Sequence, residues 1–207
     1  MTKSTFIAVE GPIGAGKTTL STMISRELGI PLLKEIVEEN PFLGKFYENI
    51  DEWSFQLEMF FLCNRYKQLE DTTTQYIQHQ KSVISDYHIY KNLIFAQRTL
   101  KGVKREKYRE IYHILTDDLP KPDLIIYIKA DLDTLLTRIA KRGRSFEENM
   151  DPAYLEQLII DYNEAMTSLA EREPDTKIIT IDGNQIDFVA SPEQFELIVS
   201  EVKEYMQ

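Results

Sequence analysis

The 207-residue chain contains one cysteine and three histidines, and this scarcity excludes several kinds of site. A single cysteine, Cys63, cannot form an intramolecular disulfide, which is typical of a cytoplasmic protein. It lies in the apolar run MFFLC, so we expect it to pack as a small hydrophobic side chain. His79, His88 and His113 lack the spacing of metal ligands, so we expect none of them to bind a metal.

Long apolar runs and a positive net charge are also missing. No uncharged apolar stretch approaches the roughly 18 residues of a membrane span, and the polar start of the chain is unlike a signal peptide. The formal net charge is −10, whereas proteins that coat nucleic acid are usually basic. With 43% hydrophobic and 28% charged residues, the composition indicates a globular cytoplasmic protein without a membrane or nucleic acid partner.

Short apolar runs alternate with helical patterns along the chain, which predicts an α/β fold with a parallel sheet flanked by helices. The predicted strands cover residues 6–10, 32–36, 83–86, 124–129 and 177–182. The main predicted helices cover about residues 18–28, 52–80, 105–117 and 152–172. No internal repeat or linker is present, so we expect one domain over residues 1–207 with a short Arg-rich lid at about 138–150.

The segment GPIGAGKT matches the phosphate-binding loop pattern G-x-x-x-x-G-K-[ST] in full. Its glycines allow backbone N–H groups to turn towards an anion, and the helix that follows points its positive end at the same place. We expect Lys17 to reach the β- and γ-phosphates of a nucleoside triphosphate and Thr18 to bind Mg²⁺. The predicted phosphate site therefore consists of Gly11, Pro12, Ile13, Gly14, Ala15, Gly16, Lys17, Thr18 and Thr19.

Acidic residues lie at the ends of the second and third predicted strands. We expect Glu35, near the end of the second strand, to take the proton of an attacking hydroxyl. Glu38 and Glu39 compete for that role, although their place in the following turn favours solvated surface charge. Asp86 ends the third strand, at the point where enzymes with a phosphate-binding loop hold Mg²⁺ directly or through water. It could also cap a helix. The predicted cofactor is Mg²⁺ at Thr18 and Asp86.

The segment RIAKRGRSFEE places several cations close together. Arg138 and Arg142 are four residues apart, so they share one face of a helix. Arginines suit the negative charge that spreads over a moving phosphoryl group, and a mobile lid could bring them to it. The alternative is a solvated basic surface with its own Arg–Glu pairs. The predicted catalytic residues are Lys17, Glu35, Arg138, Arg142 and Arg144.

Taken together, these residues resemble the deoxynucleoside kinase family. The most specific segments are YENIDEWSFQLEMFFLCNR, SDYHIYKNLIFA and RIAKRGRSFEENMDPAYLEQL, because many proteins share the phosphate-binding loop. Within the family, the chain is similar to the purine deoxynucleoside kinases of Gram-positive bacteria, above all those that act on deoxyguanosine. The resemblance implies a P-loop kinase fold, transfer of the γ-phosphate of ATP to the 5′-hydroxyl of a deoxynucleoside, and a homodimer.

The resemblance also assigns roles to individual residues. Glu35 matches the catalytic base, Trp53 a tryptophan that lines the nucleoside pocket, and Arg65 an arginine that reads the base. Two further matches bind the sugar 3′-hydroxyl, Tyr47 and Glu147. The lid arginines match Arg138, Arg142 and Arg144, and the loop that holds the adenine of ATP is similar to IDFV at 186–189, which includes Asp187 and Phe188. The predicted nucleoside site consists of Glu35, Tyr47, Trp53, Glu58, Arg65, Asp86, Tyr87, Asn92 and Glu147.

Three positions depart from the family pattern. Tyr87 stands where an arginine often follows the acid, so a cation of the phosphate region is missing and we expect the lid to supply its charge. Glu58 replaces a base-reading glutamine, and Asn92 replaces a frequent aspartate. Both replacements bear on which base is accepted.

Glu58 and Arg65 are seven residues apart on the long predicted helix, so they should face the same side. A carboxylate accepts hydrogen bonds only, and guanine offers two adjacent donors, whereas the mixed edge of adenine suits a glutamine. We therefore predict deoxyguanosine as the preferred substrate, with deoxyinosine accepted less well. The alternative role for Glu58 is that it merely pairs with Arg65 and does not contact the base. The alternative functions of the protein are a deoxyadenosine or broad-range kinase, a thymidylate-type monophosphate kinase, and a nucleotide-dependent regulatory protein.

Overall fold

A computed structural model describes residues 4–37, 39–147 and 150–207, and within these ranges five strands form one parallel sheet. The strands are β1 Phe6–Glu10, β2 Leu32–Leu33, β3 Val83–Ser85, β4 Leu124–Lys129 and β5 Lys177–Asp182. They lie in the order β2-β3-β1-β4-β5. Strand β1 is therefore central, and the strand order changes direction beside it, which is where ligands bind in sheets of this kind.

Helices connect the strands and flank the sheet. The helices in the described ranges are α1 Lys17–Leu28, α2 Leu43–Glu48, α3 Ile50–Gln75, α4 Lys91–Thr99, α5 Gly102–Thr116, α6 Leu132–Arg142, α7 Pro152–Arg172 and α8 Pro192–Tyr205. Short 3₁₀ turns at Ile77–His79 and Ser145–Glu147 follow α3 and α6. None of these helices is both long enough and apolar enough to cross a membrane.

The predicted α/β fold is confirmed, but several predicted boundaries are wrong. Strand β2 ends at Leu33, not at residue 36, because it is the edge of the sheet and pairs with β3 alone. Helix α3 begins at Ile50, where the side chain of Asn49 caps it, and ends at Gln75 instead of residue 80. Four of the described helices, α2, α4, α6 and α8, lie outside the four main predicted ranges, although the spacing of Arg138 and Arg142 already indicated a helix at α6. Helices α2 and α4 have only six and nine residues.

Among the described residues, three hydrophobic clusters form the core. The largest joins the sheet to α1, α7 and α8, the second joins the sheet to α3, α4 and α5, and the third lies between α2 and α3. Cys63 on α3 is exposed, so the prediction that it packs in the core is wrong. Its neighbours Phe61 and Leu62 are buried, and successive residues on a helix point about 100° apart, so a run of apolar residues cannot all face one core.

Candidate active site

The loop at residues 11–18 joins the end of β1 to the first turn of α1. Gly14 has a φ of +85°, and a Cβ at this position would lie 2.9 Å from the carbonyl oxygen of Leu135, so the loop requires glycine here. The ammonium of Lys17 donates to two carbonyl groups of the loop at 2.8 and 2.9 Å. Burial, together with the charge of Lys91, lowers the pKa of Lys17 to about 8.

Asp86, directly after β3, connects the loop to the neighbouring part of the sheet. Its Oδ2 accepts from the Thr18 hydroxyl at 2.5 Å, and its Oδ1 accepts from the backbone N–H of Glu35 at 2.7 Å. The adjacent hydroxyl and carboxylate oxygens fit Mg²⁺, which proteins hold with one or two carboxylates together with substrate phosphates. A cluster of three or more acidic, histidine or cysteine ligands is absent from the described residues.

Glu35 lies two residues beyond β2, and two cations hold its carboxylate. Arg65 of α3 donates to Oε1 through Nη2 and, at 2.9 Å, through Nε. Lys91, the first residue of α4, places its ammonium 3.0 Å from Oε1 and 2.9 Å from Oε2. Burial alone would raise the pKa of Glu35, but the charges of Lys91 and Arg65 outweigh it and lower this pKa to about 2. Glu35 is therefore ionised at neutral pH.

Glu58 and Arg65 are both buried on the same side of α3, as their spacing predicts. The hydroxyl of Thr99 on α4 donates to Oε1 of Glu58 at 3.1 Å. Arg65 donates through Nη1 to Oδ1 of Asn92 at 2.6 Å, and Asn92 donates in turn to the Tyr108 hydroxyl at 2.7 Å. Burial raises the pKa of Glu58 to about 7, although the charge of Arg65 opposes this shift.

Tyr47 in α2 and Glu147 in the turn after α6 are near neighbours. Burial, and then the charge of Glu147, raises the pKa of the Tyr47 hydroxyl. The Glu147 carboxylate accepts from Arg142 at 2.6 Å and lies 3.8 Å from Arg144, so Arg–Glu pairs within the predicted lid are present. Trp53, at the start of α3, is half-buried, and its ring stacks on a neighbouring phenylalanine at 6.0 Å.

Arg138 lies against the phosphate-binding loop. It donates to a carbonyl of that loop at 3.1 Å and to the carbonyl of Gly183 at 2.7 Å. Phe188 is buried against the same loop, since a Cβ added to Gly16 would lie 3.2 Å from its ring. Asp187 is exposed and accepts from the backbone N–H groups two and three residues further on. The segment 186–189 thus lies beside the loop.

Tyr87 is fully buried, and its hydroxyl donates to Gln68 at 2.8 Å. Its ring centre is 5.8 Å from the guanidinium carbon of Arg65. That the lid supplies the phosphate-region charge missing at Tyr87 stays a prediction; beside Glu35, a cation comes from Lys91.

Several residues of the site are not predicted from the sequence, namely Lys91, Thr99, Tyr108 and Glu10. Glu10, the last residue of β1, accepts from the backbone N–H of His88 at 2.6 Å and from the hydroxyl of Tyr162 at 3.3 Å. Burial raises the pKa of Glu10. Glu10 could have been predicted as a site residue from the sequence, because it is an acid in the last position of the strand that leads into the phosphate-binding loop.

Of the two competitors of Glu35, Glu39 is exposed, and Glu38 lies outside the described residues.

The predicted site residues form two groups in space. The loop, Arg138 and Phe188 form one side, and the buried network of Glu35, Glu58, Arg65 and Asn92 forms the other. Asp86 connects them through Thr18 and the backbone of Glu35.

Comparisons with known proteins agree with this geometry. The family model described as deoxynucleoside kinase matches residues 7–207. The chain belongs to the deoxynucleoside kinase family. It is 60% identical over 204 residues to a deoxyguanosine kinase of Bacillus subtilis (strain 168), covering 99% of both chains. It is also 32% identical to a deoxyguanosine kinase of Lactobacillus johnsonii, covering 96% of this chain and 91% of the relative.

A solved structure has the same architecture. The structure of deoxyadenosine kinase from M. mycoides with bound dCTP has a TM-score of 0.82 and 28% sequence identity, and the match covers 96% of this chain and 99% of the other. The resemblance carried by the three sequence segments is therefore confirmed, as is the P-loop kinase fold. This kinase is an ATP-dependent phosphotransferase that acts on deoxynucleosides.

Proposed function

We propose that this kinase transfers the γ-phosphate of ATP to the 5′-hydroxyl of deoxyguanosine, which gives the deoxynucleoside monophosphate and ADP. The choice of base rests on the buried carboxylate of Glu58, a residue that is only 1% exposed. The relative from Bacillus subtilis, which is 60% identical, is a deoxyguanosine kinase.

The chemistry of Glu58 favours guanine. Above its pKa of about 7, Glu58 is ionised and its oxygens accept hydrogen bonds only, and guanine presents the N1–H and the N2 amine side by side as donors. Adenine presents an acceptor beside a donor, so a carboxylate would set a lone pair against a lone pair. Arg65 lies on the same side of α3 and supplies donors for guanine O6 or N7. Hypoxanthine lacks the N2 amine, so deoxyinosine is expected to be a weaker substrate.

Proton and phosphoryl transfer are assigned to different residues. Glu35 is ionised and takes the proton of the 5′-hydroxyl as the bond to the γ-phosphorus forms. Lys17 and the lid residues Arg138, Arg142 and Arg144 stabilise the negative charge of the transferred group. Thr18 and Asp86 would hold Mg²⁺, which when bound neutralises charge on the β- and γ-phosphates.

The sugar site is proposed to couple to the lid. Tyr47 and Glu147 bind the 3′-hydroxyl between a donor and a charged acceptor, while Trp53 lines the pocket. Glu147 already pairs with Arg142 in this structure, so its bond to the sugar and the position of that arginine depend on each other. A single domain with a lid at about 138–150, a homodimer and a cytoplasmic location stay predictions.

One assay tests the proposal. ADP release from ATP is measured with a panel of deoxynucleosides, ribonucleosides and nucleoside monophosphates, with and without Mg²⁺. We expect the highest kcat/KM for deoxyguanosine, lower values for deoxyinosine and deoxyadenosine, and no acceptor activity with monophosphates. Preference for deoxyadenosine would overturn the choice of base, and preference for a pyrimidine deoxynucleoside or for a monophosphate would overturn the whole assignment.

A further inference from the structure

The two oxygens of the Glu35 carboxylate have different surroundings. Oε1 receives bonds from two nitrogens of Arg65 and from the ammonium of Lys91. Oε2 receives a bond from Lys91 at 2.9 Å. Oε1 is therefore surrounded by donors, whereas Oε2 keeps a lone pair that can accept the proton of a substrate hydroxyl.

Lys91 lies where a lysine is costly to place. It is the first residue of α4, the whole residue is 5% exposed, and its ammonium lies 5.6 Å from the ring of Phe95 one turn further along the helix. A buried charge is tolerated only when it is paired, and Arg65 already supplies a counter-ion for Glu35. Lys91 thus adds a second buried cation to the same carboxylate, and its charge also acts on the buried carboxyl of Glu10.

Arg65 and Lys91 hold Glu35 in different ways. Arg65 bridges Glu35 and Asn92, so it connects the carboxylate to the part of the pocket that is proposed to bind the base. Both hydrogen bonds of the Lys91 ammonium among the described residues go to Glu35. A change at Lys91 should thus affect the orientation of Glu35 without altering the residues that read the base.

We propose that Lys91 is a positioning residue for phosphoryl transfer, because its ammonium fixes the Glu35 carboxylate with Oε2 directed at the 5′-hydroxyl of the nucleoside. This inference rests on the proposed role of Glu35 as the base. Without Lys91, the carboxylate stays attached to Arg65 through Oε1 but can rotate about that attachment. Proton transfer then becomes slower, while nucleoside binding is retained.

The test compares Lys91→Met and Lys91→Arg with Glu35→Gln and with the double variant of Lys91→Met and Glu35→Gln. Arg98→Met is the matched control, because Arg98 lies on the same helix and pairs with Asp161 at 2.6 Å, away from Glu35. Steady-state kinetics with deoxyguanosine and deoxyadenosine give kcat and KM. Nucleoside binding is followed by the fluorescence of Trp53, the one tryptophan of the chain.

We expect Lys91→Met to lower kcat by about 10- to 100-fold, the scale for a misplaced catalytic group. KM, nucleoside binding and the ratio of the two substrates should stay within about threefold, because a group that acts only on the chemical step changes kcat rather than binding. Lys91→Arg should recover part of the lost kcat, and Arg98→Met should behave as the wild type. Because Lys91 acts through Glu35, the double variant should be no slower than Glu35→Gln.

The inference is overturned if Lys91→Met keeps the kcat of the Arg98→Met control, or if the losses from Lys91→Met and Glu35→Gln multiply. Thermal melting identifies a variant that fails to fold. In that case Lys91→Gln, which keeps a donor but no charge, carries the same expectations. Wild-type kcat in Glu35→Gln would instead contradict the proposed base, whatever the Lys91 variants do.

Discussion

The two sides of the active site are built in different ways. The phosphate side comes mainly from one continuous segment, residues 11–18, between the central strand and the helix after it. The acceptor side is assembled from the loop after β2 and from α3 and α4, and the ion pair of Lys91 with Glu35 spans 56 positions of sequence. In the proposed function, the first side binds the phosphate donor, which is common to all reactions of the enzyme, and the second binds the nucleoside, which differs between substrates. Changes on the first should affect every nucleoside equally.

The largest effect is expected on the acceptor side, from Glu35→Gln. The amide keeps the shape of the side chain but cannot accept the proton, so kcat should fall by roughly 100- to 10,000-fold, with little change in KM. Steady-state kinetics with deoxyguanosine measures both. Glu39→Gln, at an exposed position nearby, is the control and should be fully active. A variant that mainly raises KM would show that Glu35 binds the nucleoside instead.

On the phosphate side, Lys17→Ala should lower kcat by at least about 100-fold, because it removes a charge that stabilises the transferred group. The loss should be the same for deoxyguanosine and deoxyadenosine, since Lys17 lies on the side that both share. Lys34→Ala, at an exposed lysine, serves as the control. Near-normal turnover in a folded Lys17→Ala protein rules out the role, and a loss that depends on the base breaks the division between the two sides.

The sugar contacts should have a smaller effect. A 2′,3′-dideoxyguanosine leaves Tyr47 and Glu147 without their partner, which should reduce kcat/KM by an amount equivalent to roughly 1–3 kcal/mol. In Tyr47→Phe, part of this discrimination should disappear. Equal kcat/KM values for deoxyguanosine and its dideoxy analogue in the wild type would show that these two residues are misplaced.

Burial of Glu58 should appear in the pH dependence of stability. Its pKa rises from 4.5 to about 7 on folding, so the folded state holds a proton that the unfolded state releases between these values. Stability of the wild type relative to Glu58→Gln is therefore highest at low pH and falls as the pH rises through this window. Between about pH 4.5 and pH 8, we expect a relative loss of roughly 1–3 kcal/mol in denaturant unfolding. A constant difference, or one of opposite sign, would contradict the burial of a titrating carboxyl.

The same division explains what the sequence could predict. The phosphate-binding loop is contiguous, and its strand and helix follow from local pattern. The shared face of Glu58 and Arg65 follows from helical spacing alone. Lys91 does not follow from spacing, because a lysine in the first turn of a helix is usually exposed, and its burial depends on Glu35 from a distant loop. Thr99 and Tyr108 are likewise defined by partners on other helices.

The wrong predictions fall where one local sequence pattern is compatible with more than one arrangement in the folded protein. The apolar run around Cys63 covers more than one face of α3, so the sequence alone does not show which of its residues faces the solvent. The second strand looks long enough to reach Glu35, but at the sheet edge it has a single neighbour to pair with and ends earlier.

The measurement that tests the account most directly is the ratio of kcat/KM for deoxyguanosine to that for deoxyadenosine, in the wild type and in Glu58→Gln. A carboxylate that reads guanine predicts that the wild type prefers deoxyguanosine. It also predicts that the substitution shifts the ratio towards deoxyadenosine by roughly 1–3 kcal/mol, the scale for an unpaired buried polar group. An unchanged ratio, or a wild type that prefers deoxyadenosine, would contradict it.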